Sequence, residues 1–250
     1  MPVKVGDVGA LFRYPVKSMA GERVDAADLG WHGLDGDRRL AFRRLDDRSG
    51  FPWVTASRLP ELIRWEPRRG ANAVTSDLPT HVRLPDGTEI DLFSEELAAE
   101  VSRRCGSPVE IVHLNRGIFD EASVSLITSS TVLEIGRLAA QPADVRRFRP
   151  NILVAADLNP FEEDGWVGGV LTFGDASDAP AIGITNRDER CAMVNLEPES
   201  AQPTPDVLKA IVRARDNRAG VYATVLRRGR IRVGQSISFH PGEGPANPRT

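Results

Sequence analysis

Cysteine is nearly absent from this chain: only Cys105 and Cys191 occur in 250 residues. Two distant cysteines cannot build a disulfide framework or a four-cysteine zinc site. Histidine is almost as scarce, and His32, His81, His113 and His240 stand apart, which argues against a multi-histidine metal centre. Long apolar runs are missing too. The opening stretch "MPVKVGDVGALFRYPVKS" is broken by Lys4 and Asp7, so neither a signal peptide nor a membrane span is expected. A cytoplasmic, reducing setting follows as the expectation. No excess of one charge exists either, since 32 lysines and arginines against 35 carboxylates give a formal net charge of -3. That balance, with no aromatic runs, speaks against a nucleic-acid binder. Any basic site must be local, built from clustered arginines.

What is present is an ordinary globular composition, 41% hydrophobic and 27% charged. A chain of this size buries roughly 70–75% of its unfolded surface and needs no staples. The first ninety or so residues read as strands and turns. "GALFRYPVKSM" is a strand stopping near Pro15, "RRLAFRRLDD" alternates like a half-buried strand, and "HVRLPDGTEIDL" carries a hairpin signal around Pro85-Asp86-Gly87. The first helix is "SEELAAEVSRRCG", with Ser94 as cap, Glu95 and Glu96 at the positive end and Gly106 as stop. Cys105 falls on its last turn as a small packing residue.

Farther on, "PVEIVHL" is a strand and "ASVSLITSSTVLEIGRLAA" a strand running into a helix, with Thr131 and Glu134 spaced as a capping box. "RRFRPNILVAA", "GGVLTFGD" and "AIGIT" add strands. "TPDVLKAIVRARD" is a third helix, capped by Thr204 with Pro205 at its first position. "GVYATVLRRGRIRVGQSISF" closes as a two-stranded hairpin, and the tail 241–250 reads as disordered. The expected architecture is mainly β, barrel-like, with a few short helices. It falls into an N-terminal portion over 1–95 and a second domain over 96–240.

Five short stretches place cations and hydroxyls at strand ends. They are Lys17 and Ser18 in "YPVKS", Arg38 after "GLDGD", and Arg58 in "TASRLP". Thr128, Ser129 and Ser130 then sit at a helix N-terminus, and Arg147, Arg149 and Asn151 in "RRFRPN". Together they suit an anion with a polar heterocyclic body, because arginine contacts phosphate bidentately, lysine adds a point charge and helix N-termini favour anions. Cys191 follows Arg187 and Arg190 in "TNRDERCAMVNLEPES", which reads as a charged loop entering a short buried strand with the thiol at the junction. Nearby cations favour the thiolate. One thiolate is too little to hold a bare metal ion, so a soft metal must arrive already chelated.

The ordered set "RYPVKS", "GLDGDR", "TASRLPEL", "RRFRPNILV", "FEEDGW", "FGD" and "RCAMVNLEPES" resembles the MOSC family, named for the C-terminal domain of molybdenum cofactor sulfurase. It is most similar to the subfamily of the mitochondrial amidoxime-reducing component. The resemblance implies an N-terminal MOSC β-barrel portion followed by a C-terminal MOSC β-barrel domain. It implies a molybdenum cofactor (Mo-molybdopterin) between them, with Cys191 as metal ligand and catalytic centre. Lys17, Ser18 and Arg38 would hold its phosphate. Ser129, Ser130, Arg149 and Asn151 would line the pterin, and Arg58, Thr128, Arg147 and Arg190 complete the candidate set. The implied activity is reduction of N-hydroxylated small molecules. With no iron–sulfur module in the sequence, electrons come from a separate ferredoxin- or flavin-reductase-type protein, and a monomer is expected. "NRDE" and "MVNLEPES" around the cysteine depart from the small residues and "TTVDPDTG" usual there. The alternative is a sulfur-carrier or cofactor-handling protein with a Cys191 persulfide and no reductase turnover. Glu162, Glu163 and Asp164 are expected to brace the pocket by pairing with the arginines of "RRFRP"; Asp188 and Glu189 carry no assigned role.

Overall fold

The computed structural model describes residues 2–70 and 78–242. In chain order its elements are β1 (Val3–Arg13), β2 (Glu22–Val24), β3 (Ala26–Gly30), β4 (Gly33–Leu34), β5 (Leu40–Arg44), β6 (Glu66–Arg68), β7 (His81–Arg83), β8 (Glu89–Asp91) and α1 (Glu95–Cys105). Then follow β9 (Val109–His113), β10 (Val124–Thr128), α2 (Ser129–Ala139), β11 (Ile152–Ala155), β12 (Val170–Phe173), β13 (Ala181–Glu189), α3 (Asp206–Arg215), β14 (Arg218–Arg227), β15 (Gly229–Arg232) and β16 (Ser236–His240). The mainly β, barrel-like class read from the sequence is what the chain adopts.

Seven strands, in the order β11-β10-β14-β13-β12-β16-β1, close into a barrel because β1 pairs back onto β11. Closure removes the free edges that an open sheet would expose. The β10–β11 pair is parallel, which requires a crossover, and α2 supplies it. The barrel interior is filled by Val8, Leu11, Leu126, Ile152, Phe173, Ile182, Val221 and Ile237. By the area rule each such aliphatic side chain contributes about 1.5–3 kcal/mol when fully buried. Register shifts between Lys4 and Gly6 and between Val8 and Ala10 let β1 contact β16 and then β11. The first strand of the chain is thus a barrel member beside the last, while β3 pairs with β15.

The β5–β9 pair, the β6-β7-β8 meander and α1 surround a second core of Met19, Phe42, Leu62, Trp65, Leu97 and Val101. The Ser94 hydroxyl caps α1 by accepting from the Leu97 amide at 3.2 Å, and Gly106 ends it at φ 71°. Cys105 packs against this core, as a small helix-end residue should.

Three local expectations fail. The cap of α2 is Thr128, whose hydroxyl accepts from the Thr131 amide, so Thr131 and Glu134 do not form the capping box. Helix α3 starts at Asp206 with Pro205 as its cap residue. Its Leu208 amide is satisfied by Asn195 Oδ1 at 2.9 Å, a partner distant in sequence, and not by Thr204. The closing segment is no hairpin either. It forms three strands that pair with β10 and β13, with β3, and with β1 and β12, never with one another. The tail expected to be disordered lies, from residue 243 on, outside the described residues. Among the described residues no helix is long and apolar enough to cross a membrane.

Candidate functional site

The residues before Cys191 are not a loop: β13 runs through Glu189, and the thiol leads into a 3-10 turn over Ala192–Asn195. The expected order of loop then strand is reversed. Period-two alternation explains the charges, since Arg187, Glu189 and Cys191 are exposed while Asp188 and Arg190 point inward. Asp188 and Arg190 pair at 2.9 Å. Ser125 Oγ donates to Asp188 Oδ2 at 2.9 Å, and Arg190 donates to the carbonyls of Ala219 (2.7 Å) and Phe148 (2.8 Å). Burial pushes the Asp188 carboxyl up, and Arg190 opposes it. Gly220, at φ 77°, leaves room for this arrangement, because a Cβ there would sit 3.0 Å from Arg190 Nη2 and 2.6 Å from the Leu126 carbonyl. Asp188, expected to have no role, therefore fixes the strand end that presents the thiol. Neither Arg187 nor Arg190 donates to the Cys191 sulfur; Arg187 lies 3.9 Å from Asp164.

A second group assembles where β1 ends. The Tyr14 amide donates to Asp37 Oδ1 (2.7 Å), and Arg38 Nη1 donates to Asp37 Oδ2 (2.6 Å). Arg38 Nη2 donates to the Arg149 carbonyl at 2.9 Å. Asn151 Oδ1 accepts from the Ser125 amide (3.1 Å) and lies 3.5 Å from Arg38 Nη1, while its Nδ2 donates to the Phe12 carbonyl (3.3 Å). Lys17 Nζ donates to Asp120 Oδ1 (2.7 Å) and the Ile118 carbonyl (3.3 Å), and burial pushes its pKa down. Ser125 links the two groups through Asp188 and Asn151.

Both Arg38 and Arg149 lie over the Tyr14 ring, at 4.8 and 4.2 Å from its centroid. Arg149 donates to the Met19 carbonyl at 2.7 Å, yet no carboxylate among the described residues reaches it. Burial accordingly lowers its pKa to about 10. The Tyr14 hydroxyl is buried without a hydrogen-bond partner, and burial raises its pKa to about 12. Ser18, Arg38 and Arg149 all have left-handed backbone, with φ of 67°, 48° and 51°. Such conformations are uncommon outside glycine and cluster at functional sites.

The other candidates are placed differently. Thr128 is fully buried and committed to the helix cap and to Glu163, whose Oε2 accepts from the hydroxyls of Thr128 (2.9 Å) and Thr131 (2.8 Å). The acidic run thus braces α2 and not "RRFRP". Asp164 pairs with Arg215, and Glu162 accepts from Asn159. Ser129 Oγ accepts from the Ala156 amide (3.5 Å), and Ser130 Oγ lies 3.1 Å from Thr128 Oγ1. Arg147 braces the segment after the cysteine through the carbonyls of Val194 (3.4 Å) and Asn195 (3.1 Å). Arg58 is exposed and reaches Ser107 Oγ at 3.4 Å, with no bond to the Tyr14 group. Sequence reasoning missed Tyr14, Asp37 and Asp120. Asp37 adjoins Arg38 and was findable as its counter-ion; Asp120 has no local signal.

The MOSC domain family matches residues 113–238 and the MOSC N-terminal beta barrel domain family matches 5–105. The chain belongs to the MOSC family, which associates it with molybdenum-cofactor function. The crystal structure of YuaD from Bacillus subtilis is similar at a TM-score of 0.51 with 15% identity, covering 97% of this chain and all of that one. YiiM from Escherichia coli gives 0.43 with 11% identity, over 96% of this chain and 70% of that one. YiiM from Geobacillus stearothermophilus gives 0.37 with 19% identity, over 47% and 54%. No curated protein matches the chain. The residues present fit an anionic cofactor bearing a thiolate-bound metal. The exposed Cys191 thiol stands at the end of β13, and among the described residues the Arg149 guanidinium has no carboxylate partner and the buried Tyr14 phenol no hydrogen-bond partner. Among the described residues no three His, Cys, Asp or Glu side chains converge to hold a bare ion.

Proposed function

We propose that this chain holds a molybdenum cofactor and reduces N-hydroxylated small molecules. Lys17, Ser18 and Arg38 would hold the cofactor's phosphate, Ser129, Ser130, Arg149 and Asn151 its pterin, and Cys191 would ligate the metal. The bound group supplies two-electron chemistry at an oxygen-accepting metal. Overall, an N–O bond is cleaved, two electrons and two protons are consumed, and the oxygen leaves as water. The electrons come from a separate ferredoxin- or flavin-reductase-type protein. The chain's own contribution is placement. The Asp188–Arg190 pair anchors the strand end behind the thiol, and Arg147 holds the segment beyond it. Charge neutralisation falls to Arg149, whose side chain pairs with no carboxylate among the described residues.

The observation that carries this reading is the exposed Cys191 thiol at the end of a strand that Ser125 ties, through Asp188 and Asn151, to the group holding the uncompensated Arg149 guanidinium. The test is elemental analysis of protein from a molybdate-fed host, wild type beside Cys191→Ala, followed by a hydroxylamine reductase assay. We expect near-stoichiometric molybdenum in the wild type and loss of both metal and activity in the variant. Reduction by purified Cys191→Ala at the wild-type rate would sink the ligand assignment. An added sulfur mass on Cys191 in metal-free, inactive protein would favour sulfur handling instead.

A further inference from the structure

A cleft of about 1090 Å³ opens between the β1–β2 turn, residues 63–69 and the segments 144–149 and 193–199. Cys191 does not line it, and its charge is unlike that of the whole chain. Eight arginines line it against four carboxylates, in a protein whose formal net charge is -3. All four carboxylates are already engaged. Glu22 pairs with Arg13, Glu66 with Arg68, and Asp144 and Glu199 both with Arg146. Arg147 spends its contacts on two carbonyls. Arg69 is engaged as well. That leaves Arg23, Arg64 and Arg149 on the cleft wall with no carboxylate partner among the described residues.

Unopposed cations gathered in a concave site focus potential and raise the local concentration of anions. Three arginines from three segments suit a ligand with several negative oxygens better than a single carboxylate, because guanidinium contacts phosphate bidentately. Ile63, Pro67, Met193 and Leu196 add apolar wall. Such a wall can take a heterocyclic body. The volume lies just above the range of small-molecule sites, about 300–1000 Å³, and the concavity favours a small ligand over a protein surface.

We infer that this cleft is a binding site for a nucleoside diphosphate or a compound of that chemistry, held at its phosphates by Arg23, Arg64 and Arg149. The site requires no metal; it shares Arg149 with the proposed cofactor site, so the test changes only Arg23 and Arg64, which that reading does not use. Binding of a fluorescent ADP analogue would be followed by anisotropy at low and moderate salt. The proteins compared are wild type, Arg23→Glu/Arg64→Glu, and Arg213→Glu, which changes an exposed arginine on α3 outside the cleft. We expect saturable binding that weakens with salt, falls at least tenfold in the double variant, persists in Arg213→Glu, and is competed by pyrophosphate but not by adenosine. Absence of saturable binding to folded wild-type protein would overturn the inference. So would equal binding by the double variant, or competition by adenosine as effective as by ADP. Molybdenum content of the same samples separates the two ideas: metal retained without nucleotide binding removes this inference alone, and nucleotide binding without metal removes only the cofactor reading.

Discussion

Two places in this molecule are built to receive an anion, and they are finished differently. At the N-terminus of α2 the protein supplies the anion itself: the buried Glu163 carboxylate accepts from the Thr128 and Thr131 hydroxyls and lies 3.3 Å from the Thr128 amide. The helix macrodipole and the hydroxyls are thereby used up. Around Tyr14 the provision is uneven. Arg38 has its own carboxylate in the fully buried Asp37, whereas Arg149, stacked on the same ring, has none among the described residues. A cation matched by the chain holds structure, while one left unmatched beside an open cleft is available to a ligand.

Three substitutions sharpen that contrast. Arg38→Met should be the most damaging, since it strands the Asp37 carboxylate in the interior. Breaking a buried pair in this way costs about 3–5 kcal/mol, read from the denaturant midpoint. A shift under about 1 kcal/mol would mean that Asp37 is not buried as an ion. Glu163→Gln should cost about 1–2 kcal/mol at neutral pH, because one of the accepting oxygens becomes a donor. Burial pushes the Glu163 carboxyl above its ordinary value of 4.5, so its proton is held more tightly folded than unfolded. Stability from protonation is fully present below 4.5 and is lost as pH rises through the raised folded value. The wild type should therefore gain on Glu163→Gln as pH falls from neutrality, and parallel pH profiles would refute this. Arg149→Met should change stability least, by less than about 1 kcal/mol, because no carboxylate is orphaned. It should nonetheless weaken retention of an anionic ligand, measured as phosphate or molybdenum bound per chain. A large loss of stability in Arg149→Met would show that its role is structural.

Much of the fold was legible locally. The α1 cap at Ser94 and stop at Gly106, the hairpin at Asp86-Gly87 and the strand ending before Pro15 all follow from neighbours in sequence. The failures share one cause. Asn195 satisfying the first turn of α3, Glu163 bracing the Thr128 cap of α2 and the three closing strands each depend on partners distant in sequence. Strand periodicity applied to "RDERC" would have separated buried Asp188 and Arg190 from exposed Arg187, Glu189 and Cys191. The density of charge in that stretch disguised it as a loop.

The sequence by itself determined the β-rich class, the places where cations stand at strand ends, and the single cysteine at a charged junction. These are properties of composition, spacing and short-range geometry. Tertiary structure decided which of the candidate cations find a carboxylate within reach and which do not. Arg38 and Arg190 meet carboxylates one or two residues away, Lys17 meets Asp120 across the fold, and Arg149 meets none among the described residues. Whether a charge is paired depends on which surfaces barrel closure brings within a few ångströms, because only at that range and out of water does one charge fix another.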